Sequence, residues 1–123
     1  MITGRVNSYR EAVISLSLSG VDGTAHEVDA VVDTGYAGYL TLPTSMIEAL
    51  GLQSIGVGYL TLADGTELAS EVCVATVPWD HQRREIEVDS LESEVLVGMA
   101  LLEGYDLRIR VISGGDVAIE SIS

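Results

Sequence analysis

The sequence predicts an all-β fold, a small closed β-barrel with one or two short helices. Three observations carry the prediction. Apolar and polar residues alternate along many short stretches, the period of half-buried strands. Turn signals such as Asp22-Gly23, Asp64-Gly65 and Gly114-Gly115 separate those stretches at short intervals. Val, Ile, Leu and Ala must build the core, because Phe is absent and Trp79 is the only tryptophan; branched side chains pack well on a pleated surface. Closure into a barrel is the simplest way to hide so many strand edges.

The elements follow in order. Ile14, Leu16 and Leu18 alternate with serines, then Gly20 to Gly23 turns the chain. Thr24 to Val32 returns as a strand with Val28, Ala30 and Val32 on one face, ending at Asp33-Thr34-Gly35. Tyr39 to Leu42 is a short strand. Residues 44–50 follow Pro43 and precede Gly51, the pattern of a short helix. Gly56 to Leu62 and Glu67 to Val77 are two strands around the hairpin turn Ala63-Asp64-Gly65-Thr66, and Pro78 to His81 is a loop. Arg84, Ile86 and Val88 predict a strand whose Glu85, Glu87 and Asp89 face water. Val95 to Val97 is a buried strand stopping at Gly98, and Met99 to Gly104 a helical turn. Leu107, Ile109 and Val111 alternate with arginines, and Val117, Ile119 and Ile122 form the last strand.

With 123 residues and no linker or low-complexity stretch, residues 1–123 are expected to form one domain. A weak internal repeat is visible. Asp22-Gly23 leads to Val31-Val32 before Gly35, and Asp64-Gly65 leads to Val95-Leu96-Val97 before Gly98. Asp-Gly hairpins recur in unrelated sequences, so chance likeness is the competing reading.

The net charge is −13, with six Arg and no Lys. Nucleic-acid partners are not expected, since their binding rests on basic patches. The acidic residues are spread along the chain, as on a solvated surface. Cys73 is alone, which leaves no intrachain disulfide, and its apolar neighbours suggest an inert thiol. Neither a signal-peptide core nor a run long enough to span a bilayer is present, so a cytoplasmic protein without a membrane partner is expected.

Few residues invite chemistry. His26 and His81 lack metal-ligand spacing, so no metal or cofactor is expected. Ser45 is not in a Gly-flanked nucleophile turn, and Gly56-Val57-Gly58 lacks the spacing of a nucleotide loop. Asp22, Asp64 and Asp116 sit beside Gly as turn residues do. Tyr36 and Tyr39 either line a pocket or pack against the barrel. Asp33 differs, because an apolar strand carries its carboxylate to a point where the backbone must turn. Burial penalises that charge unless hydrogen bonds compensate, which Thr34 and Gly35 could provide. By itself, an Asp before Thr-Gly is often just a turn or helix-capping residue.

The run Val31-Val32-Asp33-Thr34-Gly35, followed by Tyr39 to Leu42, resembles the active-site segment of the retropepsin-like aspartic proteases. The Asp64-Gly65 hairpin lies where that family places its flap. Leu96-Val97-Gly98 before Ala100-Leu101-Leu102 is similar to its second signature. The resemblance spans about Val13 to Val111. It implies a barrel of the retropepsin-like acid protease type and an endopeptidase in which Asp33 is the catalytic carboxylate. Thr34 would hydrogen-bond across a dimer interface and Gly35 would support the carboxylate. Ala63, Asp64, Gly65 and Thr66 would close over an extended peptide or protein substrate. One chain supplies one carboxylate where the mechanism needs two, so a homodimer is expected. Met99 stands where viral members often have Arg, and Tyr36 follows the tripeptide where they often have Ala. The alternative is a non-catalytic dimeric peptide-binding or protein-interaction module on the same fold.

Overall fold

The computed structural model describes residues 1–92 and 94–123. Ten strands and two short helices follow one another: β1 (Ile2–Val6), β2 (Ala12–Ser19), β3 (Ala25–Val32), β4 (Leu40–Leu42), α1 (Thr44–Leu50), β5 (Ser54–Thr61), β6 (Glu67–Trp79), β7 (Gln82–Ser90), β8 (Leu96–Val97), α2 (Met99–Leu102), β9 (Tyr105–Ile109) and β10 (Asp116–Ser121). The all-β expectation holds.

The closed barrel does not. The ten strands form one ladder in the order β5-β6-β7-β4-β8-β3-β2-β1-β10-β9, and β5 and β9 remain its two ends. Closure requires those ends to pair. Instead the sheet curls until β2 lies across β6, which buries the inner face without joining the edges. That inner face is Val6, Ile14, Leu16, Leu18, Leu40, Leu42, Val77, Trp79, Ile86, Val88, Val97, Val117 and Ile119, with Ile47 and Leu50 of α1 and Leu101 and Leu102 of α2.

Most elements follow from local chemistry. On β2 the even-numbered residues Ala12 to Leu18 are buried and Ser15 is exposed, the alternation read from the sequence. Helix α1 ends because Gly51 adopts φ 70°, a left-handed conformation that costs Gly little. Its N–H then reaches the Glu48 carbonyl, and Leu52 reaches that of Ile47.

Three expectations need correction. The segment Pro78 to His81 is not a loop. Strand β6 continues to Trp79, and only Asp80 and His81 turn, both at positive φ. Pairing with β5 stops at Cys73, so the missing N–H of Pro78 falls on a side where no strand asks for it. At the other end, β9 stops at Ile109; Val111 lies in the following turn and is exposed, as is Ile122 beyond β10. Strand β1 was not expected. Gly4 lets it approach β2 so closely that a Cβ there would meet the Val13 carbonyl oxygen at 2.1 Å.

Candidate active site

Strand β3 ends one residue before Asp33, and β8 runs parallel beside it, Val31 opposite Leu96 and Val32 opposite Val97. The two members of the weak sequence repeat therefore lie side by side. The Asp33 N–H continues this pairing by donating to the Val97 carbonyl at 2.9 Å. After that the chain turns. The Asp33 carboxylate accepts the Gly35 N–H at 2.9 Å, and its carbonyl accepts the Tyr36 N–H at 3.2 Å. Asp33 is half-buried, while Thr34 and Gly35 are exposed.

The turn is stitched to the start of α2. Gly98 donates to the Tyr39 carbonyl at 3.1 Å, Met99 to that of Tyr36 at 2.8 Å, and Ala100 to that of Gly38 at 3.1 Å. Gly98 is required here on steric grounds: a Cβ would lie 2.2 Å from the Gly38 carbonyl oxygen and 2.5 Å from the Tyr36 ring. The ring also covers Gly38, where a Cβ would lie 2.4 Å from the phenol oxygen. Two glycines thus form the notch that receives Tyr36.

At the far side of that notch the Tyr36 hydroxyl donates to the Asp89 carboxylate. Burial, and then the negative Asp89, push the Tyr36 phenol above its ordinary pKa and keep it protonated. Asp89 was expected to face water; it is half-buried and holds this bond instead. Alternation along β7 gave no hint of it, because the partner is brought by a turn 53 residues away. Tyr39 is half-buried beneath the Arg84 guanidinium, 6.0 Å from its ring centre. Both tyrosines therefore pack behind the turn.

Thr41 supports the same region and was also missed. Fully buried on β4, it donates its hydroxyl to the Glu94 carbonyl at 2.9 Å and accepts the Leu96 N–H at 2.8 Å. It thereby fixes β8, on which Asp33 rests.

Thr34 and Ala37 open onto a groove of about 580 Å³, lined further by Met99, Ala100 and residues 102–107. The turn Ala63 to Thr66 lies at the exposed tip of the β5–β6 hairpin, with Gly65 at φ 87°. Thr66 donates to the Asp64 carboxylate at 2.8 Å, and that bond is the main cause of the lowered Asp64 pKa. No polar contact joins this turn to the Asp33 turn. Asp33, Thr34 and Gly35 are thus brought together with Gly98, whereas residues 63–66 stand apart from them.

No protein-family profile matches the sequence, and no curated protein matches it. Solved structures do. The chain is similar to a retropepsin-like aspartic protease from Rickettsia conorii, with a TM-score of 0.62 and 16% identity over 99% of this chain and 91% of that one. It is also similar to the foamy viral protease-reverse transcriptase, solved with an RNA/DNA hybrid. There the TM-score is 0.53 and the identity 16%, over 76% of this chain and 12% of that one. The fold is retropepsin-like. No helix among the described residues is long and apolar enough to cross a membrane.

Proposed function

We propose that the chain is an aspartic endopeptidase that works as a homodimer, with Asp33 of each subunit forming the catalytic pair. The observation that carries this reading is the placement of Asp33 in a retropepsin-like fold: it ends β3, rests on Val97 and accepts the Gly35 N–H. The reading takes residues 1–123 as one domain, supported by a single ladder that includes both β1 and β10.

Two carboxylates about 3 Å apart share one proton, since like charges at that range do not both ionise. The ionised Asp33 takes a proton from water as the oxygen attacks the scissile carbonyl. The protonated Asp33 of the partner subunit gives its proton to the carbonyl oxygen, and a tetrahedral diol results. Collapse of the diol breaks the C–N bond, with a proton delivered to the leaving amine. Thr34, exposed at the turn, would meet its counterpart across the twofold axis. Residues 63–66 would cover an extended peptide held by backbone hydrogen bonds.

The test is Asp33→Asn, which keeps the shape and the bond from Gly35 but cannot take up a proton. Cleavage of a random peptide library should fall by at least about 10²–10⁴-fold, with thermal unfolding unchanged or raised. Equal cleavage by the variant would remove Asp33 from the mechanism. A wild-type chain that binds peptides without cleaving them at any pH would establish the binding-module alternative.

A further inference from the structure

A second groove, of about 820 Å³, lies over β1, β10 and β9, and it shares no lining residue with the groove beside Thr34. Register explains its shape. Thr3 pairs with Ala118, and Ala118 with Arg108. One step along β10, Arg5 pairs with Asp116, whose carbonyl accepts the Arg110 N–H at 2.9 Å. Val117 and Ile119 are buried on the other face of β10, so by alternation these residues point outward. Ala118 is a low floor. Arg5 rises on the β1 side, Arg108 and Arg110 on the β9 side.

The charge here runs against that of the chain. The net charge is −13 with six arginines and no lysine, yet three of those arginines line this one groove. Asp116 is the acidic residue among them, and Arg5 engages it in an ion pair. The Met1 ammonium is likewise held by Asp80. Among the described residues Arg108 and Arg110 make no ion pair, and both are exposed. Three arginines against one aspartate leave the groove with a positive surplus.

The two uncommitted guanidiniums have a spacing as well as a charge. They are two residues apart on extended backbone, which sets them about 6.8 Å apart along the strand direction. An extended peptide presents its alternate side chains on one face at the same repeat. Two acidic residues separated by one other would therefore meet both arginines, and the guanidinium fork suits a carboxylate. The groove also limits what can lie in it. Asp106 and Glu120 face each other at the next step beyond Ala118, and Asp116 stands on the floor. A long polyanion would run onto these carboxylates, whereas a short acidic segment stops before them.

We propose that this groove docks an extended acidic segment of a partner protein, with carboxylates at alternate positions on Arg108 and Arg110. Nothing in it depends on Asp33, so it stands apart from the protease reading.

The experiment uses two dye-labelled hexapeptides of equal composition and the full chain, read by fluorescence anisotropy at about 20 mM salt, where screening is weak. One probe is Thr-Glu-Thr-Glu-Thr-Thr, the other Thr-Glu-Glu-Thr-Thr-Thr; threonine favours the extended state in both. The alternate probe should bind at least about threefold more tightly, because adjacent side chains of a strand point to opposite faces. Arg108→Gln and Arg110→Gln should each weaken it about threefold or more, and the double variant about tenfold. Arg83→Gln removes the same charge from the exposed face of β7 and should leave binding unchanged. Asp116→Asn frees Arg5 and should tighten binding, a gain that misfolding cannot imitate. A saturating peptide-like inhibitor of aspartic proteases should not displace the probe. Equal binding of the two probes, equal loss with Arg83→Gln, displacement by the inhibitor, or no binding at low salt would each overturn the docking site. So would tighter binding of a single-stranded oligonucleotide lost with the same two arginines. None of these outcomes bears on cleavage by Asp33.

Discussion

The Tyr36 hydroxyl donates to the Asp89 carboxylate, and this bond ties the turn after Asp33 to β7. The ring spans the notch made by Gly38 and Gly98 to reach it. Tyr36→Phe keeps the ring but strips a half-buried carboxylate of its donor. The expected cost is about 1–3 kcal/mol, read as a lower thermal midpoint at neutral pH. Above about pH 10 the gap should close. The native phenol is held above its ordinary 10.0 by burial and by Asp89, whereas the unfolded phenol ionises near pH 10. The contribution is complete below about pH 10 and is lost as pH rises toward the native value. Unfolding both proteins at several pH values up to about 11.5 should show wild-type stability falling faster than that of the variant. A gap that is constant with pH would mean the hydroxyl has no such role.

The two glycines of the notch differ in what opposes a side chain. At Gly38 the nearest atoms are all of the Tyr36 ring, at 2.4–2.7 Å; at Gly98 they include the backbone carbonyl oxygens of Gly38 and Tyr36, at 2.2 and 2.7 Å. Both Gly38→Ala and Gly98→Ala should destabilise by about 1–3 kcal/mol from overpacking. Removing the ring with Tyr36→Ala should abolish the cost at Gly38 and leave most of it at Gly98. Double-mutant cycles by denaturant unfolding measure the difference, and equal coupling at both glycines would contradict the geometry.

Thr41 holds β8 through two hydrogen bonds from one hydroxyl. Thr41→Val fills the same space and leaves a carbonyl and an N–H without their partner. The expected loss is about 2–4 kcal/mol. Thr41→Ser keeps the hydroxyl and should lose only about 1 kcal/mol for the missing methyl. If both variants unfold together, the hydroxyl is not what matters.

What the sequence revealed follows a physical division. Elements whose cause is local could be read: the alternation of β2, Gly51 after α1, and the hairpin turns at Asp22-Gly23 and Asp64-Gly65. Elements whose cause is tertiary could not. Strand β1 is short and contains Gly4, whose reason for being there is the nearby Val13 carbonyl on another strand. The Asp80-His81 turn was read too long, as a loop from Pro78, because its two positive-φ residues are not glycines and nothing local marks where β6 ends. Asp33 became a candidate through the resemblance of its surroundings to an active-site segment, since an Asp before Thr-Gly is by itself often a turn residue. The roles of Thr41 and Asp89 could not be read, and of Tyr36 only packing or pocket lining could be, since each is defined by a partner more than 50 residues away. The open ladder was hidden for the same reason: alternation tells which face of a strand is buried, not which strands pair.

The β5–β6 hairpin offers the last prediction, because the chain contains its own control. Two turns share one local chemistry. In each, an Asp carboxylate accepts the N–H of a Thr two residues on, from Thr24 to Asp22 at 2.9 Å and from Thr66 to Asp64 at 2.8 Å. In each, the intervening Gly sits at positive φ, 82° for Gly23 and 87° for Gly65. They differ in tether. Val21 donates to the Leu50 carbonyl at 2.9 Å and so fastens the first turn to α1. The hydrogen bonds of the second turn, Leu62 to Thr66 and Gly65 to Leu62, stay within the hairpin. Local turn strength is thus matched, and any difference in opening must come from docking. Amides from Leu62 to Glu67 should exchange faster than those from Gly20 to Thr24 in the free protein. A peptide-like inhibitor of aspartic proteases should slow exchange in the second turn alone if residues 63–66 close over an extended ligand. Lowering the pH provides a further check, because both Asp pKa values are depressed by these bonds. Each turn keeps that support above the ordinary carboxylate value and loses it as pH falls through the native one, so acid should loosen both turns together. Inhibitor protection that appears equally in both turns would point to general stabilisation of the protein. Protection in neither, at saturating inhibitor, would make the β5–β6 hairpin a fixed part of the sheet rather than a cover for the candidate site.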